Sequence, residues 1–348
     1  MRSRGRPSLP SVPLPGAGQH VRVSDIVARA RALADDLLFP GATAVDSDGA
    51  VPDAVLDSLA AAGLYGLTGP VSRGGLGADA RTVHAVTEAL AGGDLSSTFI
   101  FLQHLTVPAM VAGSPLADRY LADLCAGRVR SGIALLAATR PEPVAITARR
   151  DGDAFVLDGG VPWVTGWDHV DVVLVAARTP DDVCHFLLVD AETGPTLEVV
   201  PQQLVAVQAS STVELRLHGH RVPADRLVRS VPLADWQAAD PGNLRTNGSL
   251  ALGVAARCAR LAELPGLDAD LAAVRSRLDA AGPAELPGAR AAAAALAHRA
   301  TGLLAVAVGS RSVSRGHPAE RLAREAHFLL VFGSRPAIRT ALLAELGG

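Results

Sequence analysis

The chain has 348 residues, 49% of them hydrophobic, a formal net charge of −3 and three cysteines, Cys125, Cys184 and Cys258. That length and apolar content can bury large cores in two or three domains of roughly 100 to 200 residues. The near-neutral charge removes the basic footprint expected of a nucleic-acid binder, and the scattered cysteines lack the spacing of a structural zinc site. Reduced thiols in a cytoplasmic protein are the expectation.

In chain order, residues 1–20 carry Arg2, Arg4 and Arg6 and then Pro7, Pro10, Pro13 and Pro15, which break any apolar signal segment, and they read as a disordered arm. Residues 21–128 read as a helical domain. Ile26, Ala30, Leu33 and Leu37 recur at helical spacing, as do Val55, Leu59 and Leu64. The Gly-rich stretch Gly74-Gly75-Leu76-Gly77 is a loop between helices, followed by helical patterns over 80–92 and 95–112.

Residues 129–232 change texture to short runs such as Val172-Val173-Leu174-Val175 and Phe186-Leu187-Leu188-Val189, the signature of an antiparallel sheet or barrel. Residues 233–348 return to helical periodicity over 247–261, 288–308, 318–332 and 336–346, with 261–287 reading as a loop rich in Pro and Gly. The Ala-rich run from Ala291 is cut by His298 and Arg299, so no window offers about 18 uninterrupted apolar residues, and no membrane association is expected. The fold class is α+β: a central β-domain between two helical ones. This order excludes a dinucleotide-binding reading of Gly74–Gly77, which has no preceding strand.

Several motifs then fall in a fixed order: Leu64-Tyr65-Gly66-Leu67, Gly74-Gly75-Leu76-Gly77, Glu88, Tyr120-Leu121, the tract Asp158 to Gly166 with Trp163-Val164-Thr165, Ser210 to Leu215, and Val222-Pro223. In this order the chain resembles the acyl-CoA dehydrogenase superfamily from about Val51 to Arg339. The resemblance implies an N-terminal helical domain, a central β-barrel-like domain and a C-terminal helical bundle.

It also implies FAD, with Trp163, Val164 and Thr165 against the isoalloxazine and Leu136 and Ala137 in further contacts. An indole suits the flat wall, and a hydroxyl can hydrogen-bond the flavin edge. The Thr-Glu-Pro and Gly-Ser-Asp elements of many members are replaced here by 136–143, and no Arg-x-x-Phe-Gly follows Cys258.

On the helix that in the family lines the acyl pocket, the resemblance assigns Thr98, Phe101, His104 and Leu105 to substrate, with Phe101 shortening the pocket. The other pocket residues are Phe332 and Gly333. Phe332 stands where much of the family carries its catalytic glutamate, and a phenyl ring cannot accept a proton. The alternative base position, 243–247, offers no carboxylate; Asp240 lies just before it. Glu325, between Arg321 and Arg324, reads as a surface or ion-pair residue.

Three readings stay open: a flavin-dependent oxidoreductase acting on an acyl thioester or related small organic molecule, a flavin-dependent monooxygenase of the same fold, or a homologue that binds an acyl thioester or a partner without redox chemistry. The resemblance further implies a homodimer or homotetramer built through the C-terminal helices. The Ala-rich faces near 291–297 and 303–308 are candidates for that contact.

Overall fold

The computed structural model describes residues 23–139, 145–239, 243–333 and 335–347. The expected arm, Asp240, the 140–143 tract and Ser334 lie outside the described residues.

The first helical part opens with α1 (Val23–Leu33), a π-helical turn (Ala34–Leu38) and α2 (Phe39–Asp48), run together as one rod. α3 (Asp53–Ala61), α4 (Ala80–Ala91), α5 (Leu95–Ala112) and α6 (Ala117–Cys125) follow. Asp79 and Asp94 cap α4 and α5 by accepting hydrogen bonds from the Thr82 and Ser97 amides at 2.8 and 2.7 Å. Each satisfies one amide that the helix start leaves unpaired.

The chain then enters an eight-stranded sheet through β1 (Ser131–Ala134), the short α7 (Leu136–Thr139), β2 (Ile146–Asp151), β3 (Ala154–Val164), β4 (Val172–Arg178), β5 (Val183–Asp190), β6 (Leu197–Pro201), β7 (Val213–Pro223) and β8 (Leu227–Pro232). The path runs β6-β7-β3-β2-β4-β5-β8, with β1 beside β4. The sheet is mixed rather than antiparallel throughout. β1 runs parallel to β4, Ser131 opposite Val172, and β2 meets β4 in parallel at Thr147 and Arg178. β4 is buried along its whole length, as a strand covered on both faces should be.

After α8 (Leu233–Ala239) come α9 (Asn243–Ala262), α10 (Pro265–Ala280), α11 (Leu286–Val308), α12 (Pro318–Val331) and α13 (Pro336–Gly347). The stretch expected to be a loop contains α10, with Pro265 in its first turn and Leu267, Leu271 and Leu278 buried at helical spacing. It is tied back to α4 by a two-bond ion pair between Arg275 and Glu88, at 2.5 and 3.1 Å. The helical-sheet-helical order matches the fold class that the sequence implies.

The two Ala-rich faces of α11 differ. Residues 291–297 are almost wholly core, whereas Leu303 and Val306 are 38% and 82% exposed. Two helices, Leu95–Ala112 and Leu286–Val313, are long and apolar enough to cross a membrane by length and composition. The first is two-thirds buried in the protein, as a core helix would be.

Candidate functional site

The tract at the end of β3 is built around an irregularity. Its pairing with β7 shifts register between Val161 and Val164, and in that interval Trp163 takes a φ of +64° with 54% of its surface exposed. A bulky residue in the left-handed region is strained by about 1–2 kcal/mol, and such outliers cluster at functional sites. Val164 returns to the ladder opposite Val213 and is buried.

Thr165 turns inward. It is 1% exposed, and its hydroxyl lies 3.0 Å from that of Thr212, which is in turn 2.7 Å from the Ser210 hydroxyl. Backbone bonds continue this seam: the Gly166 amide donates to the Ser210 carbonyl at 2.9 Å and that of Trp167 to Ser211 at 3.1 Å. Gly166 has φ +85°, and a Cβ there would sit 3.1 Å from Ile100 Cγ2, so a glycine is needed where this strand end meets α5. Leu136, first in α7, is 46% exposed, while Ala137 is buried. A planar apolar ligand would therefore find a wall in the Trp163 indole, but not a free hydroxyl at Thr165.

On α5 the expected substrate face is part of the N-terminal core. Thr98 is buried and donates from Oγ1 to the Asp94 carbonyl at 2.7 Å. Phe101 packs edge-on against Tyr65 at 5.6 Å, and Leu105, 5% exposed, accepts from Thr68 Oγ1 through its carbonyl at 2.6 Å.

His104 is 1% exposed and fully engaged. Its Nδ1 accepts from the Ser131 amide at 3.1 Å and lies 2.9 Å from Ser131 Oγ, while Nε2 lies 3.1 Å from the Leu124 carbonyl. That partner set requires the neutral ring with hydrogen on Nε2. Burial pushes its pKa down to about 3, against the opposing pull of the Leu124 and Tyr65 carbonyls. His104 thus pins α5 to α6 and β1, and Phe101 is buried in the N-terminal core.

The face of α5 that meets the C-terminal helices carries Phe99 instead, a residue that the sequence reading passed over. Two residues along a helix turn the side chain by roughly 200°, so Phe99 and Phe101 point to opposite sides. Phe99 stands edge-on to Phe332 at 4.9 Å and to Phe328 at 5.3 Å, and Phe328 stacks with Phe332 at 5.4 Å. Phe332, read from the sequence as standing where much of the family carries its glutamate, is therefore one ring of a three-ring cluster.

Phe332 follows the last turn of α12, and Gly333 continues with φ +61°. Arg290, buried on α11, holds this turn by donating from Nη2 to the Leu329 carbonyl at 2.8 Å and the Phe332 carbonyl at 3.5 Å. A cation suits the carbonyl end of a helix. Burial pushes the Arg290 guanidinium down to about 10.

Glu325, expected at the surface or in an ion pair, is paired but buried: 3% exposed and bonded to Arg321, itself 3% exposed. Desolvation pushes its carboxyl up to about 7, against the pull of Arg321 and with the push of Asp94. Two open surface grooves lie elsewhere, about 470 Å³ against α10, α11 and α13 and about 360 Å³ beside Gly159 and Gly160. Neither includes a residue expected to contact cofactor or substrate. Among the described residues, no group of three His, Cys, Asp or Glu side chains could hold a metal ion.

A mixed sheet between two helical parts is the fold of solved acyl-CoA dehydrogenases, which superpose on this chain with TM-scores of about 0.8. Residues 23–128 match the family model described as acyl-CoA dehydrogenase, N-terminal domain.

The chain is 27% identical to the probable acyl-CoA dehydrogenase FadE25 of Mycobacterium tuberculosis over 64% of its length and 59% of the relative's. The match thus spans less than two thirds of that relative. It is 25% identical to the 3-sulfinopropanoyl-CoA desulfinase of Variovorax paradoxus over 93% of this chain and 94% of that one. Among solved structures, a glutaryl-CoA dehydrogenase from Mycobacterium smegmatis in complex with FADH2 superposes with a TM-score of 0.76, at 20% identity, over 94% of both chains.

Proposed function

We propose that this chain is an FAD-binding oxidoreductase of acyl-CoA dehydrogenase fold whose substrate is an acyl thioester or a related small organic molecule. The observation that carries the reading is Trp163, an exposed indole held in a strained conformation at the end of β3. FAD fits this surface through the Trp163 wall and the neighbouring main chain; the inward Thr165 hydroxyl is no part of that fit. When bound, the flavin would supply two-electron redox chemistry.

The protein's own contribution is to hold that wall rigid, through the seam from Gly166 and Trp167 to Ser210 and Ser211. It also lines the base position with phenyl rings. With Phe332 there, no carboxylate at that turn takes a proton from the substrate α-carbon. A monooxygenase supplied with reduced flavin and oxygen is the branch of this reading that needs no such base.

A second reading, an acyl-thioester protein without net redox turnover, is favoured by one observation: Phe99, Phe328 and Phe332 fill the space between α5 and α12.

Further parts of the proposal are domain boundaries at 21–128, 129–232 and 233–348, and a homodimer or homotetramer using the exposed Leu303 and Val306 side of α11. A cytoplasmic location is supported by three free, buried cysteines.

The test is the visible spectrum of the purified chain, with flavin quantified after adding FAD. Failure to bind FAD or FMN sinks the oxidoreductase reading. With flavin bound, anaerobic butyryl-CoA should leave the absorbance unbleached, and substrate-dependent oxygen uptake with reduced flavin should identify the monooxygenase branch. Bleaching by butyryl-CoA would show that a base exists elsewhere.

A further inference from the structure

Helices α5 and α12 meet at two levels. The upper is the Phe99, Phe328 and Phe332 cluster; the lower, about two turns nearer the start of α12, is polar and buried. There Asp94, Arg321 and Glu325 are 2%, 3% and 3% exposed. Two buried atoms among these residues have no hydrogen-bond partner: Arg321 Nε and Glu325 Oε2. Orphaned polar atoms are rare in folded proteins and each calls for a reason.

Charge supplies the reason. Two carboxylates, Asp94 from α5 and Glu325 from α12, face a single guanidinium, that of Arg321. The other charged group facing Glu325 is Asp46 of α2, already engaged by Arg324 at 2.5 and 2.9 Å, and α9 adds the Cys258 thiol. The Arg321 charge can neutralise one carboxylate, and an uncompensated charge at this depth costs several kcal/mol.

The two acids are not equivalent. Asp94 caps α5, accepting from the Ser97 amide and, more weakly, from Ser96, and it sits at the positive end of the helix dipole. Burial pushes the Asp94 carboxyl above its ordinary range, and the Arg321 charge, these hydrogen bonds and the helix end oppose that rise. Glu325 accepts only from Arg321 and has a free oxygen.

We propose that Glu325 is a buried proton site: neutral in the closed fold, it leaves the Arg321 charge to balance that of Asp94, and loss of its proton to solvent loosens α12 from the start of α5. The junction is then a proton-linked clasp that sets how tightly Phe99 is held against Phe328 and Phe332. It stands whichever reading of the reaction holds. Its sign follows from the carboxyl lying near 7 in the fold, above its ordinary range. A group that holds its proton more tightly when closed stabilises the closed form at low pH, and that advantage is lost as pH rises to the folded value.

The experiment is hydrogen exchange on the full chain from about pH 5 to about pH 8, corrected for intrinsic rates and read in peptides covering 95–101 and 321–332. Opening should rise about tenfold per pH unit up to about pH 7 and then level off. Glu325→Gln, neutral at every pH, should keep both peptides at their low-pH protection throughout. Equal pH dependence in Glu325→Gln, or none in the wild type, overturns the proposal. Should that variant fail to fold, the infrared carboxylic-acid band of the wild type decides. A band that disappears between about pH 6 and about pH 8, and that disappears at lower pH in Asp94→Asn, where Arg321 is left to Glu325 alone, supports the site; its absence at about pH 6 in the wild type, or a band unmoved in Asp94→Asn, removes it.

Discussion

Replacing His104 with leucine distinguishes a core pin from a substrate contact. The side chain is 1% exposed and serves the Ser131 amide, the Ser131 hydroxyl and the Leu124 carbonyl at 3.1, 2.9 and 3.1 Å. Leucine fills similar space but leaves the buried Ser131 amide unpaired, at about 1–3 kcal/mol, and removes one bond, worth about 0.5–1.5 kcal/mol, from the Leu124 carbonyl, which keeps that of the Gly127 amide at 3.0 Å. Loss of the edge contact with Tyr65, whose ring centroid is 4.7 Å away, adds about 0.5–1.5 kcal/mol. The expected total of about 2–6 kcal/mol lowers the melting temperature on the order of 10 °C.

Thermal unfolding followed by circular dichroism measures this, with FAD titration in parallel. FAD affinity should hold below the new melting point. The pH dependence gives a second reading of the same residue. With the folded pKa near 3 and an unfolded value near 6.5, the unfolded chain binds the extra proton. The stability contributed by neutral His104 is therefore full above about pH 6.5 and falls by about 1.4 kcal/mol per unit as pH drops towards the folded value. The leucine variant should lack that component. Unchanged stability together with lost ligand binding would refute the argument and return His104 to the substrate site.

Trp163→Gly should raise stability by about 1 kcal/mol in urea unfolding, because glycine accepts φ +64° without strain, and should weaken FAD binding at least about tenfold. Gly253→Ala on α9 would place a Cβ 2.3 Å from the Glu88 carbonyl oxygen of α4, so it should cost about 3 kcal/mol or more, or abolish folding. Gly302→Ala, with nothing within 4 Å, should stabilise α11 by up to about 1 kcal/mol in the same assay. Phe332→Glu should lose about 3 kcal/mol of ring packing and gain anaerobic bleaching of bound flavin by butyryl-CoA.

Much of the fold was legible because its helices carry their own punctuation. Asp94 before Leu95 and Pro318 at the start of α12 mark starts that backbone chemistry enforces. α10 was obscured by the Pro and Gly residues flanking it, although Leu267, Leu271, Val274 and Leu278 keep helical spacing. The parallel pairing of β1 with β4 had no local signal. Some forty residues separate the partners, and no turn dipeptide joins them.

The site was less legible for a physical reason that α5 makes plain. Helical periodicity groups Thr98, Phe101 and Leu105 on one side, and the structure keeps them together; but α5 is apolar all round, so nothing in its pattern tells which side meets which neighbour. The N-terminal core took the face that the family resemblance assigns to substrate, and Phe99 took the other. The same ambiguity hid Glu325. Arg321, Arg324 and Glu325 read as a solvated charge run, yet the helix turns Arg324 to Asp46 and Glu320 near the surface and carries Arg321 and Glu325 inward to Asp94. An i, i+4 pair has the same spacing in water and in a core. Only the helices packed against it decide whether that pair is worth a few tenths of a kcal/mol or becomes a proton-binding group.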